Sequence, residues 1–182
     1  MAQRRSTARM QMARAIWYVK PQVVELRPQP LPPLLPDQAR VRTLFSGISR
    51  GTERLVLNGQ VGKSEWSRMR APLQEGDFPF PVKYGYCATG LVEDGPKDLM
   101  GRAVFCLHPH QDVFQVPFRM LAPLAEGVSP RRGTLAANLE TALNAIWDSG
   151  AGPGDRIVVE IVDDGMGMTD GQILRMVELP LA

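Results

Sequence analysis

The sequence predicts a mainly β protein with some α, and three observations carry that prediction. Glycine and proline are abundant, at 17 and 16 of 182 residues, and they cut the chain into short segments. Between the cuts lie short runs rich in alternating or β-branched residues, at the spacing of a barrel or sandwich. Late in the chain the apolar period changes from two to a helical one, and then to a continuous β-rich run.

Each element follows from its own residues. Residues 13–19, with Ile16, Trp17 and Val19, read as a strand, and Pro21 starts a turn. Residues 22–27 form its hairpin partner, with Val23 partly breaking the alternation. Residues 28–36 are proline-rich and read as an extended connector crossing the sheet rather than a ligand for a proline-binding domain. Residues 39–46 alternate most clearly, and Gly47 ends that strand. Thr52 is expected to cap a short helix over 53–57, stopped by Asn58 and Gly59. Residues 62–80 read as a long irregular loop holding Trp66, Met69 and Phe78, the kind that covers a site or shapes a pocket. Strands are expected at 88–93, 102–107 and 113–117. Leu135, Leu139, Ala142, Leu143 and Ile146 then fall at helical intervals, with Pro130 near the start and Gly150 to Gly154 as the stop. Residues 156–162 suit a strand buried on both faces, as in the centre of an α/β sheet.

Composition bounds the function. A chain of 182 residues holds one ordinary domain plus an appendage, and 44% apolar content supplies a core. A formal net charge of +2 argues against a dedicated nucleic-acid binder. Arg4, Arg5, Arg9 and Arg14 cluster near the N-terminus, but without aromatic partners they read as a solvated extension. No apolar run reaches the roughly 18–20 residues that span a bilayer, and no apolar segment of a secretory signal follows the arginines. Cys87 and Cys106 can in principle pair, but a reduced pair in a cytoplasmic protein is the better reading.

Three segments then occur in a revealing order. Residues 41–53 contain Ser46-Gly47-Ile48-Ser49-Arg50-Gly51-Thr52-Glu53, residues 81–93 contain Lys83-Tyr84-Gly85-Tyr86-Cys87, and residues 152–159 run from Gly152-Pro153-Gly154 into Ile157-Val158-Val159. With the helix between, this resembles the medium-chain dehydrogenase/reductase superfamily of zinc-type alcohol dehydrogenases and zinc-free quinone reductases. The resemblance implies a GroES-like β-barrel substrate domain, a linking helix and the first strand of an incomplete α/β nucleotide-binding domain. The boundaries it implies are a basic extension over 1–12, the substrate domain over 13–128, helix and strand over 129–162, and a divergent tail over 163–182.

Where zinc members of that family place their ligands, this chain has Ser49, Tyr86 and Ala137. A hydroxyl, a phenol and a methyl do not replace the thiolate, imidazole or carboxylate that zinc requires, so no metal is expected. His108 and His110 on one loop are too weak a signal to restore one. The resemblance then implies a zinc-independent oxidoreductase using NAD(P)H on a small-molecule substrate, with no nucleic-acid or membrane partner and an undetermined oligomeric state. Tyr86, Ser49 and Thr52 are the candidate catalytic residues, as hydrogen-bond donors to a developing oxyanion. Arg50, for a phosphate or carboxylate, and Thr141, at the nicotinamide, are the candidate cofactor residues. Plainer roles compete: Tyr86 as a partly buried ring, Thr52 as a cap, Asn138 and Glu140 as solvated polar groups.

The tail departs from the family. A dinucleotide fold places Gly-x-Gly-x-x-Gly after its first strand. Here Gly165 and Gly167 have the first spacing, but the third position is Asp170, and Asp163 and Asp164 precede the turn. The expectation is a chain without a working nucleotide domain, binding NAD(P)H weakly and inactive alone. A barrel acting as a non-enzymatic binding module is the alternative. Asp163-Asp164-Gly165-Met166-Gly167, with Glu140 and Asn144 upstream, also mimics an ATPase box, but the lid and second glycine box of that fold need more chain than follows.

Overall fold

The computed structural model describes residues 11–150 and 152. The predicted strand at 156–162, the tail and nearly all of the N-terminal extension lie outside the described residues. The chain divides into two units, Met1–Ala137 and Asn138–Ala182.

The first unit is mainly β, as the sequence predicts. Strands β1 (Gln11–Lys20) and β2 (Val23–Leu31) form a hairpin. Gln22 turns it with a φ of 62°, so the second strand begins one residue later than expected. Strand β3 (Gln38–Ser46) follows, then helix α1 (Thr52–Asn58), the two-residue strands β4 (Glu75–Gly76) and β5 (Val82–Lys83), β6 (Ala88–Asp94), β7 (Ala103–Cys106), β8 (Val113–Pro117) and β9 (Ala122–Pro123). One antiparallel sheet runs β2-β1-β5-β4, and the other runs β8-β3-β6-β7-β9.

Two corrections to the sequence reading have simple causes. The proline-rich stretch is not all connector: Pro28 and Pro30 lie within β2, opposite Arg14 and Met12. Because β2 is an edge strand, its prolines need not donate to a neighbour, so the sheet tolerates them. The helical pattern after Pro130 is broken into α2 (Pro130–Gly133) and α3 (Ala136–Ser149). The Ser129 hydroxyl caps α2 by accepting the Arg132 N–H.

Alternation places the core. Ala39 and Val41 of β3, Val92 of β6, Val104 and Cys106 of β7, and Phe114 and Val116 of β8 all point inward and form one buried cluster. A second cluster holds Tyr18, Val56, Val61, Phe78, Val82 and Tyr84. Trp66 and Met69 pack against it, so the long loop at 62–80 contributes to the core as well as to the surface. Both cysteines are buried and free.

One loop joins the sheets. The Ile16 N–H donates to the His110 carbonyl at 2.9 Å, and the Asp112 N–H donates to the Arg14 carbonyl at 3.0 Å. From the other sheet, the Thr43 N–H donates to the Asp112 carbonyl at 2.8 Å, and its hydroxyl to the Gln111 carbonyl at 2.6 Å. Residues 110–112 are thus bonded to β1 and β3 at once, which fixes where His110 and Gln111 send their side chains.

The second unit is described through α3, which crosses the boundary. None of its residues is buried, and Leu139, Leu143, Ile146 and Trp147 are exposed.

Candidate functional site: a buried acid and imidazole behind Ser46

Helix α1 carries the most unusual side chain of the first unit. Glu53 is 3% exposed, and a buried carboxylate requires partners. It has three. Its Oε1 accepts the Ser49 N–H at 2.9 Å. Its Oε2 accepts the Tyr18 hydroxyl at 2.7 Å and faces His110 Nε2 at 2.6 Å. Burial pushes the Glu53 carboxyl up, but the hydrogen bond and electrostatic attraction of His110, the Ser49 N–H and the Tyr18 hydroxyl together hold it below its ordinary value. Glu53 is therefore an anion at neutral pH. Tyr18 stays a neutral donor, its hydroxyl pushed well up by burial and by the Glu53 charge and hydrogen bond.

The other imidazole nitrogen faces outward. His110 Nδ1 lies 2.6 Å from the Ser46 hydroxyl oxygen, at the end of β3. Because Nε2 faces a carboxylate, it carries the proton, which leaves Nδ1 to accept the Ser46 O–H. Ser46 is half-buried whereas His110 and Glu53 are buried. The order along the hydrogen-bonded chain is Ser46, His110, Glu53, Tyr18: a hydroxyl, a base, an acid that holds the base in one tautomer, and a phenol that steadies the acid.

Backbone geometry makes room for this arrangement. Gly85 has a φ of 122°, and a β-carbon there would meet the His110 ring at 2.9 Å. Gly47 donates its N–H to the Cys87 carbonyl at 2.8 Å, and a β-carbon there would lie 3.2 Å from Cys87 Cβ. Both glycines allow the Ser46 turn to close on the 84–87 segment.

The sequence-predicted residues take varied places. Ser49 is on the inner rim: its N–H serves Glu53, and its hydroxyl accepts the Thr52 N–H at 3.3 Å. Thr52 is corrected from cap to first helical residue: the cap position of α1 is Gly51, which has no side chain to accept a helix N–H. Tyr86 is half-buried, with its ring edge-on to Tyr84 at 6.2 Å, and its hydroxyl makes no hydrogen bond among the described residues. Arg50 is exposed and makes no ion pair among the described residues. Thr141 lies on α3, in the second unit. Cys87 adjoins the site, its thiol pushed up to about 11 by burial and the Glu53 charge.

Ser46, Glu53, His110 and Tyr18 are not singled out as a group by sequence. The signal was available in part: Glu53 and Val56 share the buried face of α1, and only two histidines occur in the chain. Those histidines do not converge. His108 stacks on Phe114 with centroids 4.0 Å apart, and its Nδ1 donates to the Pro109 carbonyl at 2.8 Å. No cluster of three or more metal-binding side chains occurs among the described residues.

Comparison with known proteins agrees on the fold. No family model matches, and no curated protein does. Among solved structures, the chain is similar to a short-chain alcohol dehydrogenase of Escherichia coli CFT073 complexed with NADH, with 13% identity, a TM-score of 0.60, and coverage of 79% of this chain and 48% of that one. It is similar to the quinone oxidoreductase of Thermus thermophilus, solved also with NADPH, at 22% identity, TM-score 0.54, and coverage of 78% and 43%. It is similar to the alcohol dehydrogenase of Thermus sp. ATN1 at 22% identity, TM-score 0.58, and coverage of 78% and 49%. The chain thus has the fold of the substrate domain of medium-chain alcohol dehydrogenases and quinone reductases. It spans under half the length of each of these proteins.

Proposed function

We propose that this chain is the substrate domain of a zinc-independent, NAD(P)H-type oxidoreductase, in which Ser46 and His110 move the proton that accompanies hydride transfer to or from a small carbonyl compound. The observation that carries the reading is the continuous Ser46–His110–Glu53 contact, with 2.6 Å at each step. The solved relatives with NADH and NADPH support the cofactor class.

The chemistry follows from the hydrogen bonds. When bound, a reduced nicotinamide would supply the hydride that a carbonyl carbon accepts. In the reducing direction a proton from solvent first adds to His110 Nδ1; Ser46 then gives its proton to the developing alkoxide and recovers one from Nδ1, which leaves the ring neutral. In the alcohol-oxidising direction Ser46 takes the substrate proton and passes its own to His110, whose positive charge Glu53 stabilises. Tyr86, with an unspent phenol, is a second donor to the same oxygen, and Ser49 and Thr52 line the turn beside it. Exposed Phe45 and Ile48 flank Ser46 in sequence and favour an apolar substrate. Of a nicotinamide nucleotide, the described residues offer a partner for a phosphate in Arg50. Zinc does not fit, because Ser49, Tyr86 and Ala137 lack its donor chemistry.

Asp170 stands where a pyrophosphate turn has its third glycine, and Asp163 and Asp164 precede that turn. The reading therefore expects the 182-residue chain to turn over slowly by itself. Two measurements test it. NADPH oxidation with a quinone or an aldehyde is expected to be near background, and rapid turnover would refute the expected inactivity. Titration of the chain with duroquinone is expected to move the amide signals of Ser46, Ile48 and Tyr86, and shifts confined to other regions would remove the site.

A further inference from the structure

A cavity of about 170 Å³ is lined in part by His108 and Gln111, on the loop that carries His110. It is lined by Gln29, Gln38, Lys83, His108, Gln111 and Gln115, with Pro30, Leu31 and Pro32 forming an apolar wall. The oxidoreductase reading makes no use of it.

Its polar groups are arranged with capacity left over. Lys83 is 2% exposed, pairs with Glu75, and donates to Gln111 Oε1 at 2.9 Å. An ammonium has three N–H donors, so one remains. Gln38 Oε1 accepts the Leu35 N–H at 3.2 Å, which leaves its amide N–H groups. The Gln115 amide donates to the Pro32 carbonyl at 3.1 Å, which leaves its oxygen. The Gln29 side chain makes no hydrogen bond among the described residues. His108 is 5% exposed and has Nδ1 committed to Pro109, so Nε2 is a lone-pair acceptor with no partner among the described residues. Burial lowers the His108 pKa to about 3, so the ring stays neutral.

The unspent groups are therefore both donors and acceptors, and the Lys83 charge is offset by Glu75. An anion meets Glu75, and a cation meets Lys83. A hydroxyl both donates and accepts, so a chain of hydroxyls matches alternating donors and acceptors, while its C–H face suits the proline wall. The volume equals about six water-sized groups at ~30 Å³ each. The geometry points to a binding site for a short neutral polyol at this cavity, separate from the Ser46 site.

The test is NMR titration of the full chain with erythritol, and with acetate in parallel. Erythritol is expected to shift the side-chain amides of Gln29, Gln38 and Gln115 and the His108 ring, saturating with a dissociation constant below about 10 mM. Gln115→Leu and Gln29→Leu, both on the half-exposed rim, are expected to weaken binding about tenfold each while methyl spectra stay native. Absence of saturation, stronger binding of acetate, or unchanged affinity in both variants would overturn the assignment.

Discussion

Gly85 lies directly beneath His110: a β-carbon on Gly85 would come within 2.9 Å of the imidazole, at a backbone φ of 122°. The glycine therefore has two reasons to be there, one conformational and one steric. The His110 ring occupies the space a side chain would need.

Gly85→Ala is accordingly expected to displace His110 from Glu53 and to strain the backbone. The cost is about 1–3 kcal/mol for the backbone alone, with more from the broken Glu53 pair. Chemical denaturation measures it. A variant as stable as the parent would show that the ring moves freely.

His110→Ala leaves Glu53 buried at 3% exposure without its imidazole. Removing the imidazole takes an N–H donor from a buried carboxylate and opens a cavity, which together cost about 2–5 kcal/mol. Tyr18→Phe removes one neutral donor from the same carboxylate and is expected to cost about 1–3 kcal/mol. The ordering, with His110 worth more than Tyr18, is the checkable content, and denaturant midpoints at pH 7 supply it.

Acid should destabilise the fold through groups that include His108 and Glu53. His108 is held neutral by burial, its pKa lowered to about 3 from an ordinary 6.5. Below pH 6.5 the unfolded chain binds a proton that the folded chain refuses, so stability falls by up to about 1.4 kcal/mol per pH unit between 6.5 and 3. Glu53 is held below its ordinary 4.5, so its contribution is present above that value and is lost as pH falls through its folded value. His108→Gln is expected to flatten the slope above pH 5. An unchanged slope would show that His108 titrates normally.

Burial pushes the thiol of Cys106 up to about 12, with Cys87 at about 11. Neither offers a thiolate at neutral pH. Ellman's reagent is expected to label neither cysteine in the folded chain and both in denaturant. Fast labelling of native Cys87 would place it on an open cleft.

The barrel strands were legible in sequence wherever alternation was strict, as over Ala39 to Ser46. The pieces that escaped were short: Val82–Lys83, Glu75–Gly76 and Ala122–Pro123 have two residues each, too few to show a period. Prolines hid the length of β2, because edge position, which decides their tolerance, is a property of the sheet and not of the strand. At the site, sequence resemblance pointed to the turn from Ser46 to Glu53 and to Tyr86. It passed over Glu53 itself, since a charged residue on a short helix normally faces water. Its burial is sustained by the approach of His110 from a loop 57 residues away, together with Tyr18 and the Ser49 N–H. His108 and His110 share a loop but diverge to Phe114 and Glu53, a divergence set by sheet bonds to Ile16 and Thr43 that no local spacing encodes.

The most direct test of the central claim is the protonation of His110, read by long-range ¹⁵N–¹H NMR on the full chain at neutral pH. The account predicts a ring protonated at Nε2, with Nδ1 bearing the lone pair that accepts the Ser46 hydroxyl, and a shift of the Nδ1 signal on Ser46→Ala. A His110 protonated at Nδ1 alone, or indifferent to the loss of the Ser46 hydroxyl, would contradict it.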